Sequence, residues 1–447
     1  MRKSDASHFD FQNSVETGAC EQAVNNVKLS TKLSTSATWI GLGGLATGLA
    51  CIAILAFKSK ASTDYSYIRD IAPIVEHRCA QCHSGSGLAA KPLLDSYATV
   101  SKYADTIRYM TRARMMPPWT ADNRGTCRTW RDSLWLSDAE LGKLVGWAEQ
   151  GAPEGDRTLR ADRRVPAEKP RDLERVDAVL DTGADYTPGL GTSAYRCFVA
   201  DPGLTRERML TGIRVVSTDP RAVAHIAIYG LDSDDAERQA VGRDTEEAGP
   251  GYTCYGSPRV EPAHLLASWT WDNPTLHFPE GTGLRVSPNR KWIVQVLYNV
   301  ITTGLNTQTR THIDLKFDDG VRAASFMALR ASGIALPPGK NYAEASARFR
   351  ADAPMTVLGI APRMHGLGKT MQVDRMRKDG DECAASFDHW NVYGQRLFIY
   401  QEPLHLSAGD ELRATCIYNT KTAGETVHGG DNITDEACEA NLYVVSP

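Results

Sequence analysis

In the run Cys79-Ala80-Gln81-Cys82-His83, two thiols one helical turn apart stand directly before an imidazole. Such thiols can form thioethers to the two vinyl groups of a porphyrin, and the adjacent His83 then reaches the iron as proximal ligand. A redox pair or half of a zinc site would use the same cysteines. Neither needs the histidine, and no second C-x-x-C completes a zinc cage. The spacing therefore predicts one covalently bound haem c on Cys79, Cys82 and His83. A second axial ligand is expected from Arg114-Met115-Met116-Pro117-Pro118-Trp119. A thioether suits an iron that only passes electrons, and Met116, braced by two prolines, is preferred to Met115 and then Met110. The alternative is that these methionines simply pack the haem pocket.

The elements that must position these residues read as a small all-α domain over 62–156. Asp70 is expected to cap a helix that tolerates Pro73 in its first turn and runs into Cys79. Ser137-Asp138-Ala139-Glu140 is a capping box, followed by Leu141, Leu144, Val145 and Ala148 at helical spacing, and Gly151 ends that helix. Upstream, Leu33 to Phe57 carries no charge and fits one bilayer-spanning helix, placed at 36–58 as an uncleaved signal anchor after a cytoplasmic segment 1–35. Gly44 and Gly48 would let a partner helix approach closely. Haem c is attached outside the cytoplasm, so the expected location is the inner membrane, single-pass, with the C-terminal domains in the periplasm.

With 447 residues, 42% of them hydrophobic and 23% charged, the chain is neither mainly disordered nor a polytopic membrane protein. A net charge of -4 argues against a nucleic-acid binder. The stretch 157–175, rich in Arg, Asp, Glu and Pro, reads as a solvated interdomain tether. Beyond it, 176–447 reads as all-β, with His312 to Phe317, Trp292 to Val300 and Gln395 to Tyr400 as strands. Two packed jelly-roll-like β-sandwich modules are expected. The acidic runs Asp232 to Glu237 and Asp244 to Glu247 are expected to be solvated loops. No G-x-S-x-G elbow, P-loop or H-E-x-x-H helix is present.

Two resemblances extend this reading. Asp70 to Ile74, the haem motif, Arg114 to Trp119, Leu136 to Glu140 and Gly151 to Gly155 resemble the cytochrome c domain that precedes copper monooxygenase-like domains in some bacterial proteins. Tyr195 to Phe198, Cys254 to Gly256, Phe278 to Gly283, Gln295 to Asn299, Pro362 to Gly368, Trp390 to Gln395 and Cys416 to Cys438 resemble the copper type II, ascorbate-dependent monooxygenases. That family includes the peptidylglycine α-hydroxylating and dopamine β-monooxygenases. The resemblance implies one mononuclear copper site on each β-module and hydroxylation of a C–H bond with O₂. It also implies disulfides Cys197–Cys254 and Cys416–Cys438. Cys127 and Cys383 are left over, either as an interdomain bridge or as two free thiols.

The ligands implied by the resemblance are mostly absent. A His-His pair and a His before Tyr are replaced by Ala224-His225 and Leu297-Tyr298; a His-Met-His triplet and a Met before the last cysteine are replaced by Arg363-Met364-His365 and Ala437-Cys438. His225 and His365 are thus remnants of copper sites, and one imidazole per site does not hold copper at useful affinity. His264, His277, His312, His389 and His428 offer no pair at helpful spacing. The expected function is single-electron transfer by a membrane-anchored monohaem cytochrome with a degenerate monooxygenase-like scaffold. Its expected partners are redox proteins or a membrane respiratory complex. The alternatives are a copper monooxygenase fed by its own haem and an accessory structural subunit of a respiratory complex.

Overall fold

The structure is a computed structural model that describes residues 64–84, 91–160, 172–189, 194–299 and 308–446. The expected segment 1–35, the anchor 36–58 and the tether positions 161–171 lie outside the described residues. Among the described residues no helix is long and apolar enough to cross a membrane.

Among the described residues four α-helices precede the β-region: α1 (Ala72–Arg78), α2 (Tyr97–Lys102), α3 (Ala104–Arg112) and α4 (Asp138–Glu149). Ile71, Val75, Val100, Leu144 and Trp147 pack together at their centre. Asp70 does not cap α1. The helical path already begins in a π-turn at Tyr67–Ile71 behind Ser66, and the Asp70 carboxylate reaches back to accept the Ser66 N–H at 3.0 Å. The capping box at α4 forms as expected: Ser137 Oγ accepts from the Glu140 N–H at 3.2 Å and Glu140 Oε2 accepts from the Ser137 N–H at 2.8 Å.

The β-region is built on three main sheets. A five-stranded sheet runs in the order β5 (Tyr252–Thr253), β2 (Tyr195–Ala200), β9 (Trp292–Tyr298), β4 (Val223–Leu231), β6 (Ala263–Thr270). A nine-stranded sheet runs β1 (Ala178–Asp181), β10 (Thr311–Phe317), β3 (Arg208–Ser217), β8 (Thr282–Val286), β11 (Arg322–Arg330), β20 (Glu439–Val445), β14 (Met355–Arg363), β17 (Phe398–Leu406), with β7 (Thr275–His277) against β3. A four-stranded sheet runs β13 (Ala343–Arg350), β18 (Glu411–Tyr418), β15 (Gly368–Met376), β16 (Glu382–Phe387), and β12 (Ala335–Leu336) pairs with β19 (Val427–His428).

The two expected sandwiches share the nine-stranded sheet, whose halves join where β8 and β11 pair in parallel. Side chains alternate across a strand, and β20 uses both faces. Ala440, Leu442 and Val444 enter the core against the four-stranded sheet, whereas Tyr443 and Val445 enter the core against the five-stranded one. That is why every residue of β20 is buried.

Three regions depart from the sequence reading. The acidic runs form a helix, α5 (Asp234–Glu246), rather than loops. Ser233 caps it, its acidic first turn suits a helix N-terminus, and Ala236 and Ala240 pack beside the Cys197–Cys254 pair. Residues 172–175 are pinned rather than solvated, through Asp172–Arg214 at 2.8 Å and Arg175–Asp318 at 2.8 Å. Gln395 lies in a loop before β17, so that strand begins at Phe398.

The segment 119–131 leaves the helices and straps across the second sandwich. Trp119 and Trp130 join its core, Trp130 stacking on Tyr400 with ring centroids 4.6 Å apart and Trp119 meeting Phe398 edge-on at 5.0 Å. The Cys127–Cys383 disulfide fastens the strap, so these two cysteines form a bridge and not free thiols. Cys197–Cys254 and Cys416–Cys438 are also paired.

Candidate functional site

Two places in the fold collect the residues singled out above. In the first, α1 continues into a turn in which the N–H groups of Cys82 and His83 both bond to the Cys79 carbonyl, at 3.1 and 2.8 Å. Among the described residues Cys79 and Cys82 are the cysteines outside any disulfide. Burial pushes both thiols up to about 12. His83 Nδ1 lies 2.8 Å from the Pro92 carbonyl oxygen. That oxygen can only accept, so Nδ1 donates, and the lone pair is left on Nε2, the atom an iron would take. The residues therefore fit a covalently held haem. Of the methionines, Met115 is exposed, while Met116 and Met110 are half-buried. Arg114 anchors their loop to α4 through the Leu136 carbonyl and Asp138, with its guanidinium 4.1 Å from the Trp135 ring centroid.

The second place is a cleft of about 430 Å³ between the five-stranded sheet and the β11–β20–β14 part of the nine-stranded sheet. His225 comes from β4 and His365 from the turn after β14, and both line it. His225 Nε2 meets Ser268 Oγ at 3.2 Å, and Ser268 donates in turn to the Gln395 carbonyl. His365 Nδ1 donates to the Asp435 carbonyl at 2.8 Å. Burial, followed by the positive charge of Arg363, drives His225 down to about 3 and His365 down to about 4. Both imidazoles are neutral at physiological pH.

Neither surrounding resembles a copper centre. At the first implied site, Ala224 and Leu297 are packed with Tyr195 and Tyr255 in a small apolar cluster. At the second, register brings three charges side by side, because Arg330 and Arg363 are both direct cross-strand partners of Glu439. Arg363 Nη1 donates to Glu439 Oε2 at 2.7 Å and Arg330 Nε donates to the same oxygen at 2.9 Å. Burial opposes charge on both groups, yet the attraction holds Glu439 below the usual carboxylate range and Arg363 above its own. Glu436 accepts the backbone N–H groups of His365 and Leu367, and burial raises it to about 7.

The two walls of the cleft also touch. The Tyr255 ring stands 4.9 Å from the His365 ring, Ser257 Oγ bonds Asp431, and a Cβ on Gly256 would lie 2.7 Å from Asp431 Oδ1. Among the described residues no group of three or more His, Cys, Asp or Glu is disposed to hold a metal ion. Two imidazoles in separate surroundings beside a buried guanidinium do not fit copper. Sequence reading found His225, His365 and Arg363 but missed Glu439, Arg330 and Glu436. Their signal exists only once strand register is known.

Comparison with known proteins gives this β-region a family likeness. Residues 324–445 match the model of the copper type II ascorbate-dependent monooxygenase C-terminal domain. The chain is 22% identical over 250 residues to peptidylglycine alpha-amidating monooxygenase of Rattus norvegicus, a match covering 52% of this chain and 23% of that protein. It is 22% identical over 340 residues to tyramine beta-hydroxylase of Caenorhabditis briggsae, covering 70% of this chain and 54% of that one. The chain thus spans 23% to 54% of the length of these curated relatives. A xanthan lyase structure from Paenibacillus aligns over 63% of this chain and 27% of its own at 11% identity, with a TM-score of 0.17 that carries no structural argument. The β-region is monooxygenase-like.

Proposed function

We propose that this chain is a monohaem c-type electron-transfer protein, anchored in the inner membrane with its C-terminal domains in the periplasm. Its monooxygenase-like β-region serves as a scaffold without working copper centres. The observation that carries the reading is the Cys79-x-x-Cys82-His83 turn with His83 Nδ1 committed to the Pro92 carbonyl. Bound haem would supply a reversible one-electron couple. Cys79 and Cys82 would hold it covalently, and the Pro92 carbonyl would fix the His83 tautomer and ring direction. Met116 would hold the iron together with His83, and its thioether would keep other ligands off it. The strap from Trp119 to Arg131 ties this site to the second sandwich, so donor and scaffold move together.

A reduced-minus-oxidised absorption spectrum of the membrane-extracted protein, repeated under carbon monoxide, tests the reading. A c-type spectrum unchanged by carbon monoxide is expected. Colourless protein would refute haem attachment, and ready carbon monoxide binding would refute Met116 as a firm ligand. Co-migration with a large assembly after mild solubilisation would make the chain a subunit of a membrane redox complex.

A further inference from the structure

The cleft does not end at His225 and His365. A second cavity, of about 370 Å³, continues the gap between the two sheets, and the two cavities share His264, Leu265 and Phe326 in their walls. Each has a volume that suits a small molecule. Strand β11 runs along both. Side chains alternate across a strand, so Ala324, Phe326, Ala328 and Arg330 stand on one face. Ala324 lines the second cavity, Ala328 and Arg330 line the first, and Phe326 lines both. Six residues at about 3.3 Å each make this wall about 20 Å long. Ser325, Ala328 and Arg330 are exposed, so the groove opens to solvent along its length. The opposite wall comes from β4 and β6. Where the cavities meet, the His264 ring lies over Gly230, whose missing Cβ would come within 2.6 Å of it, and His264 Nδ1 is 2.9 Å from Asp232 Oδ2.

The charges of this groove are paired with one another. Arg330 and Arg363 both bond Glu439, Arg285 bonds Glu207, Arg290 bonds Asp234, and Asp232 meets His264. Asp431 takes Arg363 and Ser257, Glu436 takes two backbone N–H groups, and Glu261 is exposed at the rim. A charged ligand would have to displace one of these partners. Hydroxyl groups would not, because a carboxylate or guanidinium that keeps its ionic partner still has hydrogen-bonding positions to spare. Between the polar groups Phe326 supplies an apolar surface. It is half-buried and braced edge-on by Tyr443, with ring centroids 5.3 Å apart. Its neighbours on the same face, Ala324 and Ala328, are too short to cover it. We propose that the groove binds an uncharged, extended oligosaccharide laid along β11, with the C–H face of one sugar on Phe326 and its hydroxyls turned to the ion pairs. This goes beyond electron transfer and stands on the β-region alone, with or without haem.

The test is isothermal titration of the full-length protein with four probes. They are cellotetraose, a straight chain; maltotetraose, a coiled chain of the same sugar; the acidic tetragalacturonate; and end-blocked tetraalanine. Saturable binding of cellotetraose is expected, with the other three about tenfold weaker or worse. Phe326→Ala removes the apolar surface and should weaken cellotetraose about tenfold. Ala328→Phe changes an exposed position, fills the groove and should weaken it by at least as much. If Phe326→Ala does not fold, Ala328→Phe decides alone. Absence of saturable cellotetraose binding would overturn the proposal, as would wild-type affinity in Ala328→Phe. Equal or tighter binding of tetragalacturonate would show that the walls read charge, and equal or tighter binding of tetraalanine would make the groove a peptide site; either result overturns it. So does equal binding of maltotetraose, because a straight wall has no use for a coil. A pyridine haemochrome assay on the same preparation reads the haem separately. Colourless protein that binds cellotetraose supports this inference while removing the electron-transfer reading.

Discussion

Replacing Arg363 by methionine tests the central feature of the cleft. The guanidinium lies 2.7 Å from Glu439, whose side chain is 4% exposed, while that of Arg363 is 16% exposed. At an effective dielectric near 20, unit charges about 4 Å apart attract by about 4 kcal/mol, and breaking a buried pair typically costs about 3–5 kcal/mol. Glu439 keeps Arg330, but that side chain is 60% exposed and solvent screens it. The expected loss is therefore about 2–4 kcal/mol in urea denaturation at pH 7, read against Glu439→Gln and the double variant in a cycle. The double variant should lose less than the sum of the singles. NMR titration supplies a second readout, because removing Arg363 should let His225 and His365 rise from about 3 and about 4 while burial still holds them below 6.5. An Arg363→Met protein within about 0.5 kcal/mol of wild type, with both histidines unmoved, would refute the reasoning.

Copper-loaded, desalted wild type should retain less than one copper per chain, whereas Arg363→His with Ala437→Met, which restores a donor set around His365, should retain more; equal retention would contradict the ligand argument. Glu436 provides a pH signature. Its folded value is raised from 4.5 to about 7, so its contribution is fully present below pH 4.5 and is lost as pH rises through about 7. Wild type should therefore lose up to about 3 kcal/mol more than Glu436→Gln between pH 4.5 and pH 8, measured by denaturation at both values. Removing the strap's bridge with Cys127→Ser and Cys383→Ser should lower stability by about 2–5 kcal/mol in urea denaturation, the usual cost of losing a native crosslink that constrains the unfolded chain. Non-reducing peptide mapping should recover Cys127 joined to Cys383 from wild type.

The parts of the molecule legible in the sequence are local. The Cys79–His83 turn, the α4 capping box and the alternation of His312 to Phe317 each lie within a few residues, where backbone geometry dictates spacing. The identities of Ala224, Leu297, Arg363 and Ala437 are equally plain in the sequence, and none of these side chains is a copper donor. The helix α5 runs against its acidic composition, which reads as a solvated loop. Ser233 as cap and two buried alanines mattered more than the acidic composition of its exposed face.

By itself, then, the sequence determined which donor atoms each short segment brings: two thiols and an imidazole within five residues at Cys79, Cys82 and His83, and one imidazole apiece at His225 and His365. Tertiary structure alone decided what surrounds those residues. Register across β11, β20 and β14 turned Arg330, Glu439 and Arg363 into one buried row. Long-range packing carried Trp119 and Trp130 into the second sandwich and joined Cys127 to Cys383. The reason is physical. Bond geometry constrains neighbours in sequence, whereas burial, charge pairing and cross-strand contact depend on residues brought together from 76 positions apart, for Arg363 and Glu439, to 256 apart, for Cys127 and Cys383.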